Sequence, residues 1–392
     1  MAWRIAALCA ALLLAGCTFS DALRNDPVRS VWGRGAPPPP RSVFFATDRQ
    51  PEGSSFGQKW GASFRCDAAT LVIPDGADPS PNQPDPALHS LTCNDAAGMT
   101  AFMARVTEAA KPCGRLLLIV HGYNTTFHGA LLHSAQLAMD TEWPCATLLF
   151  SWSSEGLFRR YAADIERSGF AMPALLQLLR AARATGLQIN ILSHSMGARL
   201  ALGAAGTLCG ENISWSVNQM ILAAPDVGAQ AGNDDFGHLL ERAMPCTRRA
   251  TVYASDNDLA MLTSESLHDR TPRAGRFIGA SLDYARKYKS DTQRVDIIDA
   301  GLAPGDAPVG HRYFMLSYEM AHDMMEVLAD VPVARRASND GSEDATLACS
   351  DAPGLSCAQG DGHYTLIVAA NRQPGLGTRL IRALWPLSTR VQ

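Results

Sequence analysis

The chain has 392 residues, 47% of them hydrophobic, with 34 Lys and Arg against 38 Asp and Glu and a formal net charge of -4. That is ample apolar material for a large buried core and too much for a disordered chain. With no broad basic footprint, no zinc-finger spacing and no Gly-rich phosphate loop, the composition excludes nucleic acid and nucleotides as expected partners and favours small neutral or amphipathic substrates.

Residues 1–16 carry Arg4 and then an apolar stretch that ends in Leu14-Ala15-Gly16-Cys17. The run is too short for a mature transmembrane helix, and its small residues predict a cleaved export signal. Leu-Ala-Gly-Cys also resembles a bacterial lipobox, which makes Cys17 the expected lipidated first residue. In a Gram-negative cell that implies an outer-membrane lipoprotein facing the periplasm, joined to the membrane by its N-terminal lipid anchor. Residues 17–41 are polar and end near Pro37-Pro38-Pro39-Pro40, an extended spacer behind such an anchor. Residues 42–333 are the expected main folded domain and 334–392 a C-terminal extension.

From residue 43 to 92 come short apolar runs among Gly and Pro, with a flexible-looking stretch at 75–86. Strand patterns follow at 116–120, 147–151, 188–192, 217–223, 249–254 and 294–298. Helical patterns near 129–140, 168–184, 197–208, 235–243 and 317–329 separate them. This alternation predicts an α/β fold, a mostly parallel sheet with helices on both faces.

Besides Cys9 and Cys17, the cysteines are Cys66, Cys93, Cys113, Cys145, Cys209, Cys246, Cys349 and Cys357, an even set that suggests disulfides in an exported chain. Cys113 and Cys145 each precede a predicted strand, as do Cys209 and Cys246. Neighbouring parallel strands would bring each pair to one sheet edge. Cys66 with Cys93 and Cys349 with Cys357 would close local loops.

The chemistry concentrates at Ser193-His194-Ser195-Met196-Gly197, between an apolar strand and a helix pattern. A sharp strand-to-helix turn lifts a serine hydroxyl towards a base and oxyanion donors, and Gly-x-Ser-x-Gly is its usual sequence. Ser193 replaces the first glycine. An acid and then a histidine should follow in the chain. Asp258 is the expected acid, with Asp256 second and Asp226 third; Asp258 could equally be a helix N-cap. His311 is the expected base, His363 the alternative, and His194 is poorly placed to face its neighbour. The amide groups of Tyr123, after the turn His121-Gly122, and of Met196 are the expected oxyanion donors. Tyr123, Phe127, Trp152 and Phe158 are candidates for an apolar acyl pocket or for plain core.

The segments Val43-Phe44-Phe45-Ala46-Thr47-Asp48-Arg49, Val120 to Phe127, Phe150-Ser151-Trp152-Ser153, Tyr161-Ala162-Ala163-Asp164, Ala224-Pro225-Asp226 and Arg273-Ala274-Gly275 resemble bacterial α/β-hydrolases of largely uncharacterised function in the esterase/lipase superfamily. The likeness spans about residues 43–330 and implies the α/β-hydrolase fold and a serine hydrolase. Ser153 departs from it, since the family often has Pro there. Taken together, the expectation is a lipid-anchored serine hydrolase acting on small-molecule or lipid esters through an acyl-enzyme, with no metal or organic cofactor. Acyl transfer, or a non-catalytic envelope protein that keeps the scaffold for binding, are the alternatives. Oligomeric state is not readable.

Overall fold

The computed structural model describes residues 41–71, 91–155, 160–211, 216–229, 235–276, 278–290, 293–305, 309–338, 347–350 and 362–368. The expected leader, Cys17, the proline spacer, the 75–86 stretch, Phe158 and Cys357 lie outside these residues. No helix among them is long and apolar enough to cross a membrane.

Among the described residues, twelve strands form one sheet. The strands are β1 (Arg41–Glu52), β2 (Ser55–Leu71), β3 (Leu91–Thr92), β4 (Arg115–Val120), β5 (Ala146–Ser151), β6 (Gln188–His194), β7 (Val217–Ala223), β8 (Thr247–Ala254), β9 (Arg294–Asp299), β10 (Ala337–Ser338), β11 (Leu347–Cys349) and β12 (His363–Leu366), in the order β10-β11-β12-β9-β8-β7-β6-β4-β5-β1-β2-β3. Strands β4 to β9 are all parallel, and β1 joins them parallel to β5. The expected C-terminal extension adds its described strands to the same sheet through β12, parallel to β9.

Strand side chains alternate between faces, and the core divides accordingly. Leu116, Leu118, Val120, Ile191 and Leu222 pack with α1 (Ala96–Ala110), α3 (Tyr161–Ala184) and α4 (Met196–Glu211). Leu117, Ile119, Leu192, Ile221 and Tyr253 pack on the other face with α8 (Tyr313–Leu316) and α9 (Tyr318–Leu328). Helix α2 (Phe127–Asp140) covers the β1 end of that sheet. The remaining helices are α5 (Phe236–Ala243), α6 (Leu259–Leu267), α7 (Ile278–Lys287) and α10 (Val333–Arg336).

The predicted strands match β4 to β9 closely because each is a short apolar run that must be buried on both faces. The sequence expectation omits the long β1–β2 hairpin, whose pairing shifts register between Thr47 and Pro51 and so hides its alternation. Disulfides join Cys66 to Cys93, Cys113 to Cys145 and Cys209 to Cys246, as expected. The strands that follow the last two pairs are parallel neighbours. Cys349 is disulfide-bonded as well.

Strand order reverses at β4 and β6, which are adjacent in space but separated in sequence by β5. The crevice at the carboxyl ends of strands at such a reversal is where open α/β sheets bind ligands. The turns after β4, β6, β8 and β9 all emerge along that edge.

Candidate active site

Ser195 is the one residue between β6 and α4, and it holds φ +54°. Left-handed backbone costs a non-glycine residue roughly 1–2 kcal/mol and persists only where its surroundings enforce it. Those surroundings are bonds on both sides of the turn. Ser195 N–H donates to Ala223 O at 3.0 Å, and Ser195 O accepts from Ala198 N at 3.0 Å and Asp226 N at 3.1 Å. The side chain is nearly enclosed, with the residue 2% exposed.

The glycine missing from the motif proves dispensable. Ser193 is still in strand β6, paired with Val120 and Leu222, and is fully buried without a left-handed φ. Gly197 is the demanding position. A Cβ there would lie 2.4 Å from His121 O and 2.6 Å from Val120 O, so α4 can approach the end of β4 only without a side chain at that residue.

The acid and base candidates meet. Asp258 follows β8 and is fully buried, and its two carboxylate oxygens have separate tasks. Oδ1 accepts Met261 N–H at 3.1 Å and caps α6, while Oδ2 accepts the Nδ1–H of His311 at 2.7 Å. The cap and the acid–histidine contact, posed as alternatives at the level of sequence, are both present, and the first fixes the rotamer that the second needs. The backbone adds a strut, since Leu259 N–H donates to Val309 O at 2.9 Å and ties the two loops together. Asp256 is exposed and does not take this place. His363 lies within β12 opposite Ile297, not beside Asp258.

His194 is packed beside the acid–histidine pair. Its ring packs against His311, with centroids 4.6 Å apart, and stacks on Phe314 at 4.2 Å. Burial, and then the neighbouring His311, push its pKa well below the usual histidine value, so His311 faces a neutral ring. A histidine preceding a serine carries no periodic signal for this stacking, which depends on a helix more than a hundred residues away.

On the other side of Ser195 lies the turn that follows β4. A Cβ on Gly122 would sit 2.8 Å from Ser195 Cβ and 2.8 Å from His194 Nδ1. The backbone of the His121-Gly122 turn is therefore seated directly against the serine, with Tyr123 next in the chain. Met196, the other expected donor, opens α4, where helix amide groups face outward and favour developing negative charge.

Asp226, the third acid candidate, is engaged elsewhere. It accepts from Arg273 Nε at 2.7 Å, Ser264 Oγ at 2.7 Å and Tyr161 Oη at 2.6 Å. Ala224 takes φ +47°, and Gly275 packs so closely on it that a Cβ would fall 2.4 Å from Ala224 C. The Ala-Pro-Asp and Arg-Ala-Gly segments thus form one brace behind the elbow, because Asp226 N–H is the group bonded to Ser195 O.

Of the pocket candidates, Phe127 and Trp152 belong to the interior. Phe127 is 1% exposed and packs edge-on with Phe45, while Trp152 is fully buried and stacks on His121 at 5.2 Å. Among the described candidates, Tyr123 is half-buried, with its ring edge against Tyr161 at 5.1 Å. No group of three or more His, Cys, Asp or Glu able to hold a metal ion occurs among the described residues.

Esterases from Rhizomucor miehei and from Pseudomonas putida ECU1011 are each 11% identical to the chain; the match covers 55% of this chain in both cases, and 74% and 70% of theirs, with TM-scores of 0.32 and 0.30. The Ser161Ala mutant of LAE6, an alpha/beta hydrolase from the metagenome of Lake Arreo, Spain, is 11% identical over 81% of this chain and 90% of its own, at a TM-score of 0.38. No curated protein matches the sequence. Residues 96–329, more than half of the chain and all of the span from α1 to α9, match a defined protein family, and the chain belongs to it: the alpha/beta hydrolases of unknown function designated DUF900.

Proposed function

We propose that the protein is a serine hydrolase that cleaves carboxylic esters through an acyl-enzyme at the cell envelope. The observation that carries this reading is the 2.7 Å bond from His311 to Asp258, with the His311 ring packed against His194, the residue before a serine held at φ +54°. In the proposed reaction His311 takes the proton of Ser195 as Oγ attacks the ester carbonyl, and Asp258 holds the imidazole in its Nδ1–H tautomer and stabilises the imidazolium. The amide groups of Tyr123 and Met196 stabilise the tetrahedral oxyanion. His311 then returns the proton to the leaving alcohol, and water repeats the sequence on the acyl-enzyme.

Cys17, as the lipidated first residue after signal cleavage, would place the enzyme at the outer membrane facing the periplasm. The near-complete enclosure of Ser195 favours a second reading, acyl transfer, in which another alcohol or an amine displaces water from the second step.

The test is fluorophosphonate labelling of the folded, oxidised domain beside Ser195→Ala, followed by p-nitrophenyl esters of increasing acyl length with and without an added alcohol. Labelling and turnover that vanish in the variant support the hydrolase. Product partitioning to the alcohol supports transfer, and a folded wild type that neither labels nor turns over leaves a binding scaffold. Metabolic labelling with a clickable fatty acid, abolished by Cys17→Ser, tests the anchor.

A further inference from the structure

Arg49 is fully buried, and four of its contacts fan out over the far side of the 121–126 turn. Nε–H donates to Ser151 Oγ at 3.0 Å, Nη1 to Ser154 O at 3.0 Å and Gly57 O at 3.2 Å, and Nη2 to Thr125 O at 2.7 Å. A buried guanidinium is costly unless its donors are used, and replacing it with an apolar side chain is often neutral for stability. Its retention here asks for a reason other than stability.

Following the bonds outward supplies one. Ser151 lies 3.5 Å from His121 Nε2, and His121 Nδ1–H donates to Gly122 O at 2.7 Å. Since Nδ1 must be the donor to a carbonyl, Nε2 of the neutral ring is the acceptor and Ser151 O–H points at it. Burial, and then Arg49, hold His121 down to about 3, in keeping with that neutral tautomer. Trp152 stacks on the ring, and its Nε1–H donates to His121 O at 2.8 Å, which leaves the imidazole no freedom to turn.

Gly122 O belongs to the same planar peptide unit as Tyr123 N–H. The two groups point in opposite directions from a trans peptide, so fixing the carbonyl fixes the direction of the amide. A bond accepted by the carbonyl also polarises the amide at the other end of the unit. On the next residues, Thr125 N–H donates to Ser154 Oγ at 3.2 Å, and Ser154 Oγ donates in turn to Asp164 at 2.6 Å. Asn124, at φ +56°, is thus pinned from both sides.

We propose that Arg49, Ser151 and His121 are positioning residues that aim the Gly122–Tyr123 peptide, so that Tyr123 N–H meets the oxyanion. The proposal rests on the serine hydrolase reading. It gives a task to the Val43-to-Arg49 and Phe150-to-Ser153 segments, which the triad leaves without one.

The experiment compares wild type with His121→Phe, His121→Asn and Ser151→Ala. Phe keeps the ring on Trp152 and removes the donor, whereas the Asn side-chain amide restores a donor at the δ position. Each variant is assayed for kcat and KM on the p-nitrophenyl ester that wild type turns over fastest, for Ki of an aryl trifluoromethyl ketone, which forms an oxyanion on Ser195, and for Tm.

Loss of one oxyanion donor typically costs about 10²–10³-fold in kcat. The expected result is a fall of roughly 10²-fold in kcat for His121→Phe with KM little changed, a parallel weakening of ketone binding, substantial recovery in His121→Asn, and a fall of about tenfold for Ser151→Ala. Should His121→Phe not fold, Ser151→Ala with the ketone still decides. Folded variants whose kcat and ketone Ki equal those of an active wild type overturn the positioning role alone. Variants whose losses follow Tm, with no selective loss of ketone binding, overturn it too. A wild type that neither hydrolyses esters nor binds the ketone overturns the hydrolase reading and the proposal with it.

Discussion

Ser195 is flanked by two supports of different construction. On one side, the Asp258–His311 pair is held by a helix cap, a loop-to-loop backbone bond and a ring stack of His311, His194 and Phe314. On the other, the 121–126 turn is held at long range by side chains of β1 and of the residues after β5, which reach backbone carbonyls and amides across the sheet. The first side holds two titratable side chains, whereas the second is a backbone turn fixed by buried polar bonds and depends on every member of the network. The comparison predicts that damage to the first side is chemical and damage to the second is geometric.

The largest expected effect separates these on the acid side. Asp258→Asn preserves an N-cap, since Asn caps as well as Asp, yet it cannot stabilise an imidazolium or enforce the Nδ1–H tautomer. We expect kcat to fall by about 10³–10⁴-fold with Tm almost unchanged, whereas Asp258→Ala loses roughly a further 1 kcal/mol of stability with the cap. Equal Tm losses in the two variants would contradict the division of labour between the carboxylate oxygens; denaturant midpoints beside steady-state kinetics decide it.

A middle-sized effect is geometric. Gly197→Ala forces a methyl into the carbonyls of Val120 and His121, so α4 and the 121–126 turn must separate. An overpacked buried position costs typically 1–3 kcal/mol, and here the strain falls on both supports at once. Ser193→Gly, at the other end of the motif, should change stability by no more than about 1 kcal/mol, the penalty of glycine in a strand. Unfolding midpoints and fluorophosphonate labelling rates of the pair give the answer, and a Gly197→Ala protein as stable and reactive as Ser193→Gly would show that the close approach is not required.

The smallest effect is a dependence of stability on pH. Burial holds His121 down to about 3 and His133 down to about 4, and it lowers His194 as well, so all three are neutral in the fold and bind protons on unfolding below their ordinary value of 6.5. Their stabilisation is complete above that value and is lost as pH falls towards the folded pKa values. Buried Asp48, pushed up to about 7, works in the opposite sense, because it releases a proton on unfolding between about pH 4 and 7. These four groups together take up about two protons net on unfolding, so their contribution lowers stability as pH falls from 6 to 5. Urea midpoints at those two pH values measure it, and His133→Asn should flatten the slope by about one proton. A midpoint that does not move would mean that these rings titrate alike in the folded and unfolded chains.

The strands from β4 to β9 and the chain order of serine, acid and histidine were legible because both are written locally, as short apolar runs and as turns at their ends. Helix α1 was not read from the sequence, although Asp95 followed by Met99, Phe102, Met103 and Val106 at helical spacing carries its signal. Arg49 was not legible, because nothing within the β1 pattern says that a cation there is fully buried. The same holds for His194, whose partner Phe314 comes from a distant helix.

The sequence by itself determined the parallel α/β layering, the elbow and its expected partners, since each depends on residue periodicity or on turns at strand ends, and it suggested three of the disulfide pairings. Only the tertiary structure decided which aspartate meets His311, which glycine of the elbow is indispensable, and that Phe127 and Trp152 belong to the core. Those outcomes turn on ångström-scale approach between segments far apart in the chain, and local pattern carries no information about such distances.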